Sequence, residues 1–122
     1  MTKNVLGTEL EVCCLDPLTG YMRDGFCHTE VQDLGQHWVC ARLTDTFLSF
    51  SLARGNDLVS PRLELGFPGL KEGDGWCLCL GRWLEALAAG CAPPIKLRAC
   101  HEKILQTVDI ETLMKHAYPD DV

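Results

Sequence analysis

The chain has 122 residues, 47% apolar and 23% charged, which makes one folded domain and excludes a disordered, collagenous or coiled-coil chain as the main state. Eleven basic against seventeen acidic residues leave a net charge of −6, and the basic ones are scattered from Lys3 to Lys115 without a run. That distribution excludes a broad phosphate-binding face, so nucleic acid is not an expected partner.

The first 43 residues carry two plausible strands, a short one near Val5 or over 10–12 and a better one over 37–43, where Trp38 and Cys40 alternate with Val39, Ala41 and Leu43. Between them Asp16-Pro17, Thr19-Gly20 and Asp24-Gly25 mark a turn-rich loop. Thr44-Asp45 caps a helix over 45–54, with Phe47 and Phe50 three apart, Leu48 and Leu52 four apart, and Gly55 as its stop. A strand competes there, because 48–52 also alternates; the two terminal signals favour the helix. Residues 56–75 have no period and read as a long loop punctuated by proline and glycine, of the kind that is usually functional.

Residues 76–80 are continuously apolar and read as a central strand. A helix follows over 81–89, with Trp83, Leu84, Leu87, Ala88 and Cys91 on one face and Gly90 as its end. Pro93-Pro94 resets the chain, 95–99 alternates as a strand, and Asp109 caps a last short helix through Ile110, Leu113, Met114 and Ala117. No linker or repeat divides the chain, so 1–122 is one domain. Strands mixed irregularly with two or three helices predict an α+β fold: a small, largely antiparallel sheet packed by the helices, with long irregular loops.

The strings NVLG (4–7), TGYMRDGFC (19–27), DLGQHWVCA (33–41), RGNDL (54–58), FPGLKEGDGWCLC (67–79), RWLEA (82–86) and APP (92–94) together resemble the bacterial family known as domain of unknown function 2237. The resemblance spans nearly the whole chain. It implies a small stand-alone α+β domain and supplies no reaction. Cys13, Cys27, Cys40, Cys77, Cys79, His37 and His101 fall inside the family pattern.

The N-terminus lacks the apolar stretch of a signal peptide, and no apolar run approaches the roughly 18 residues of a membrane span. The expectation is a cytoplasmic protein with no membrane partner, whose eight cysteines are core residues, metal ligands or reactive thiols before they are disulfides. His37-x2-Cys40 and Cys77-x-Cys79, with Cys13 and Cys27 upstream, are poor zinc spacing, since Cys77 and Cys79 share one face of an apolar strand. They read as small core residues, and no cofactor or metal ligand is assigned.

Three function classes stay open. The leading one is a small-molecule- or protein-binding module in which Arg23, Asp24, Arg54, Asn56 and Asp57 converge from the two irregular loops to form an Arg/Asp pocket. The second is a thiol-dependent enzyme with Cys27 as nucleophile, placed in a polar turn four residues after Arg23 and beside His28, and with His37 or His101 as base. The third is a zinc-stabilised interaction domain.

Overall fold

The computed structural model describes residues 2–118. Its centre is a two-stranded antiparallel sheet, β1 (Val39–Arg42) against β2 (Gly75–Leu78), in which Val39 faces Leu78, Cys40 faces Cys77 and Ala41 faces Trp76. Helix α1 (Asp45–Ala53) follows β1 directly; the Thr44 hydroxyl accepts from the Phe47 N–H at 3.1 Å, which satisfies one of the donors that a helix start leaves open. Helix α2 (Leu80–Ala88) follows β2, and α3 (Ile110–Lys115) is capped by Asp109, which accepts from the Thr112 N–H at 2.8 Å. The fold is α+β, as the mixed pattern predicts.

The sheet is smaller than expected. Segment 95–99 supplies only Ile95, which bridges Ala41 on one side and Ala117 on the other. Its carbonyl and N–H serve Tyr118 and His116, and the chain then turns into a 3-10 segment, Leu97–Ala99. The alternation of apolar residues is real, since Leu97 and Ala99 are both buried, but a single tight turn satisfies it as well as a strand does. The short N-terminal strand is likewise reduced to isolated bridges, Lys3 with Glu9 and Asn4 with His101. The 56–75 loop is not structureless: it contains a 3-10 turn, Leu63–Leu65, closed by the Arg62 to Phe67 bridge.

Trp83, Leu43, Ile95, Ile104 and Leu113 are wholly buried, and Phe47 nearly so, placing the core where α1, α2 and the C-terminal segments meet the sheet. The Trp83 indole N–H donates to the Pro93 carbonyl at 3.1 Å, so the largest core side chain buries no unsatisfied donor. Among the described residues, no helix is long and apolar enough to cross a membrane.

Two disulfides tie loops to this centre, Cys13–Cys40 and Cys27–Cys77. This corrects the expectation of free thiols at those four positions; Cys14, Cys79, Cys91 and Cys100 remain unbridged.

Candidate functional site: a cysteine, histidine and aspartate in line

Strand β2 ends at Leu78, and the next residue, Cys79, turns the chain into α2 as its N-cap. The junction is pinned by the Leu80 N–H, which donates to the Gln36 carbonyl at 3.0 Å, while the Trp38 N–H donates to the same carbonyl at 2.7 Å. The segment leading into β1 is thereby held against the start of α2. The Cys79 sulfur lies 3.2 Å from His37 Nε2. On the other side of the ring, His37 Nδ1 lies 2.6 Å from Asp33 Oδ1, and the second carboxylate oxygen accepts from the His37 backbone N–H at 2.8 Å.

The Asp33 side chain is fully enclosed, and an ionised carboxylate only accepts hydrogen bonds, so Nδ1 carries a proton toward Asp33 and Nε2 is the ring atom that deals with the sulfur. The His37 pKa is pushed up to about 9: the hydrogen bond with Cys79 raises it most, burial opposes that, and the charges of Cys79 and Asp33 with the Asp33 hydrogen bond add to the rise. Imidazolium therefore persists through neutral pH between an enclosed carboxylate and a half-buried sulfur.

Gly35 leaves room for this pair. A Cβ at that position would stand 2.9 Å from His37 Cε1 and 3.2 Å from the Cys79 sulfur, both closer than ordinary contact. The adjacent Gln36 takes a left-handed φ of 54°, which turns the chain sharply enough to bring His37 back over Asp33.

Two cavities flank the triad. One, of about 430 Å³, is bordered by Cys79, Gln36, Gly81, Arg82 and Glu85; the other, of about 180 Å³, by His37, Tyr21, Arg23 and Trp76. At the first turn of α2, the Gly81 and Arg82 N–H groups have no acceptor among the described residues, and both residues border the same cavity as Cys79.

The sequence-derived site residues are distributed differently. Cys27 is wholly buried and bonded to Cys77, so it is not an accessible nucleophile; its loop is anchored under the sheet, and the turn-rich sequence around it describes the anchor. His101 is buried against Trp38 and its Nδ1 accepts from the Lys103 N–H at 3.1 Å, capping a 3-10 turn. Burial depresses its pKa, with the Lys103 and His28 charges adding and Glu102 opposing, so its ring is neutral, and the hydrogen bond that the structure gives it serves the 3-10 turn. His37 does meet a cysteine, but that cysteine is Cys79.

Arg23 lies over the Trp76 ring at 5.2 Å and borders the cavity of His37. Asp24 pairs with His28 at 3.2 Å and accepts from the Phe26 N–H. Arg54 lies over Phe50 and 3.9 Å from Glu85, on the side of the Cys79 cavity. The Asn56 carbonyl accepts from Ser51. Asp57 receives the Val59 and Ser60 N–H groups, and its bonds with Ser60 and then Val59 hold its carboxyl below the usual range. Asn56 and Asp57 thus serve their own turn, and no hydrogen bond or ion pair among the described residues links them to Arg23 or Asp24.

The sulfurs of Cys13, Cys27 and Cys77 lie within 4.8 Å of one another, near enough to surround one metal ion. In the oxidised chain all three are disulfide sulfurs, which lack the thiolate that binds zinc, so the set fits a metal only after reduction.

Asp33 and Cys79 are the residues that sequence reasoning missed. Reading the strand through residue 80 places Cys79 in mid-strand, whereas β2 stops two residues sooner and leaves it at a helix start. The available signal was Asp33-x3-His37 inside a turn-forming string, an acidic residue within reach of a histidine.

The profile of the family described as uncharacterised protein conserved in bacteria, DUF2237, matches residues 3–117. The chain belongs to this family. No curated protein matches the chain in sequence comparison. DUF2237 carries no assigned function.

Proposed function

We propose that this DUF2237 protein is a thiol-dependent acyl-transfer enzyme with Cys79 as nucleophile, His37 as its acid–base partner and Asp33 as the group that orients the ring. The observation that carries the reading is the single line of contacts from the Cys79 sulfur to His37 Nε2 at 3.2 Å and from His37 Nδ1 to Asp33 at 2.6 Å. The sulfur stands within hydrogen-bond distance of the imidazole and at a helix start, the setting in which a cysteine nucleophile and its acid–base partner work together. The Asp33 carboxylate fixes the tautomer, as the third member of such a triad does.

In this mechanism the Cys79 thiolate adds to a carbonyl carbon of an ester, thioester or activated amide. The oxyanion that develops is received by the Gly81 and Arg82 N–H groups, which have no acceptor among the described residues and belong to the positive end of α2. His37 then delivers its Nε2 proton to the leaving group. In the second half it takes a proton from water or another acceptor nucleophile, which releases the acyl group and restores the thiolate. The chemistry requires Cys79 as a free thiol, the form in which it stands in a chain that also holds two disulfides.

The test is acylation by p-nitrophenyl acetate. The wild type is expected to release one rapid equivalent of p-nitrophenol per chain and to carry the acetyl group on Cys79 by peptide mapping, while Cys79→Ala gives no burst. A burst that survives in Cys79→Ala, or acetyl groups spread over Cys14 and Cys91, contradicts the proposal.

A further inference from the structure

The two disulfides are neighbours. Cys40 and Cys77 face each other across β1 and β2, each bonded to a cysteine of the N-terminal loops, and the Cys13 sulfur stands within 4.8 Å of both atoms of the Cys27–Cys77 bond. Access to the four is unequal. Cys27, Cys40 and Cys77 are 0%, 3% and 1% exposed, whereas Cys13 is only half-buried. Cys13 borders a cavity of about 300 Å³ whose walls include Cys14, Arg42, Lys96 and Tyr118. Arg42 lies over the Tyr118 ring at 3.9 Å, and Lys96 Nζ is 3.0 Å from the Val12 carbonyl, so two cations border the cavity that Cys13 lines together with Cys40. In a chain of net charge −6 this is a locally positive mouth.

We propose a thiol–disulfide relay in which a small anionic thiol enters this cavity and its reducing equivalents pass through Cys13–Cys40 to the buried Cys27–Cys77 bond. The first thiolate attacks Cys13 Sγ, the bond to Cys40 breaks, and the Cys40 sulfur leaves as thiolate. A second small thiolate attacks the small-thiol sulfur of that mixed disulfide, releasing a symmetrical small disulfide and the Cys13 thiolate. Cys13 then attacks one sulfur of Cys27–Cys77, expelling the other as thiolate. Cys40 attacks Cys13 in turn, which restores Cys13–Cys40 and frees the second sulfur. In balance, two small thiols are oxidised to one disulfide, and their two protons end on Cys27 and Cys77. The Cys13 sulfur, within 4.8 Å of both atoms of the buried bond, carries the exchange inward, and Cys40, opposite Cys77 on the neighbouring strand, completes it. The relay uses neither Cys79 nor His37, so it stands or falls separately from the acyl-transfer reading.

The experiment treats the intact protein, in a Cys14→Ser background that removes the adjacent thiol, with reduced glutathione, followed by acid quenching and disulfide mapping. Cys27–Cys77 is expected to open about tenfold faster when Cys13 and Cys40 are both present than in Cys13→Ser/Cys40→Ser, the double change being needed because Cys13→Ser alone frees Cys40 opposite Cys77. A Cys13–Cys27 or Cys13–Cys77 peptide should appear during the reaction. Glutathione should also outpace the cationic thiol cysteamine, compared at equal thiolate concentration, and Lys96→Glu should reduce that preference. Equal opening rates with and without Cys13 and Cys40 in variants that share the wild-type circular dichroism overturn the relay. If Cys13→Ser/Cys40→Ser does not fold, the crossed peptide decides alone: its absence from the Cys14→Ser time course, while Cys27–Cys77 is being reduced, overturns the proposal.

Discussion

Cys77 and Cys79 are two residues apart and sit in opposite chemical settings: the Cys77 sulfur is bonded to Cys27 in the core, and the Cys79 sulfur faces His37 Nε2 at 3.2 Å. The difference comes from where β2 ends. Cys77 is inside the ladder, opposite Cys40, whereas Cys79 lies past Leu78, where the backbone turns into α2 and presents its side chain at the helix start.

Asp33 adds to the rise in the His37 pKa that Cys79 chiefly produces. Asp33→Asn removes an enclosed anion and one of the interactions that hold the imidazolium, so the His37 pKa measured by NMR titration should fall below about 9, while the larger contribution of Cys79 keeps it above the ordinary value near 6.5. Because the folded value lies above the unfolded one, the stabilisation from His37 is fully present below about pH 6.5 and fades as pH rises through about 9. Wild-type stability should decline across that window, and the Asn variant should show a shallower decline. An unchanged His37 titration would mean that Asp33 does not act on the ring.

Gly35→Ala tests the packing around the pair. Its added methyl group meets the His37 ring and the Cys79 sulfur, while Gly35 does not have the left-handed backbone that only glycine adopts readily. The fold should survive with a modest loss of stability, about 1 kcal/mol, and the Cys79 acylation rate should fall about tenfold as the two groups are pushed apart. Thermal unfolding and burst kinetics read the two effects independently.

Core and cap positions should behave as their burial dictates. Trp83→Ala, at a fully enclosed side chain, should cost about 3 to 5 kcal/mol in denaturant unfolding. Thr44→Ala, which removes the acceptor for the Phe47 N–H, should cost about 1 kcal/mol without affecting Cys79 reactivity.

The caps and periodicity made α1, α2 and α3 legible, because Thr44, Asp109 and the Trp83 face are local signals that act over a few residues. Ile95 was legible as buried but not as a mere bridge, since its partners Ala41 and Ala117 are far away in the chain. The site was only half readable. His37 stands out by type, whereas Cys79 depends on the exact end of β2, the least certain feature of any sequence reading. The disulfides were hidden by the same non-locality: Cys13 and Cys40 are 27 residues apart, and Cys27 and Cys77 are 50 apart. The charged loops drew attention by composition, yet Asp57 is occupied by its own turn.

Competitive alkylation of the native protein with limiting iodoacetamide at pH 7 tests the reactive pairing of Cys79 and His37 most directly, with each unbridged cysteine quantified by mass spectrometry. Ordinary free cysteine is only a few per cent thiolate at that pH, so a sulfur held beside imidazolium should label about tenfold faster than Cys14 or Cys91, and His37→Ala should abolish the advantage. Labelling of Cys79 no faster than Cys14 and Cys91, or a rate unchanged by His37→Ala, would contradict the account.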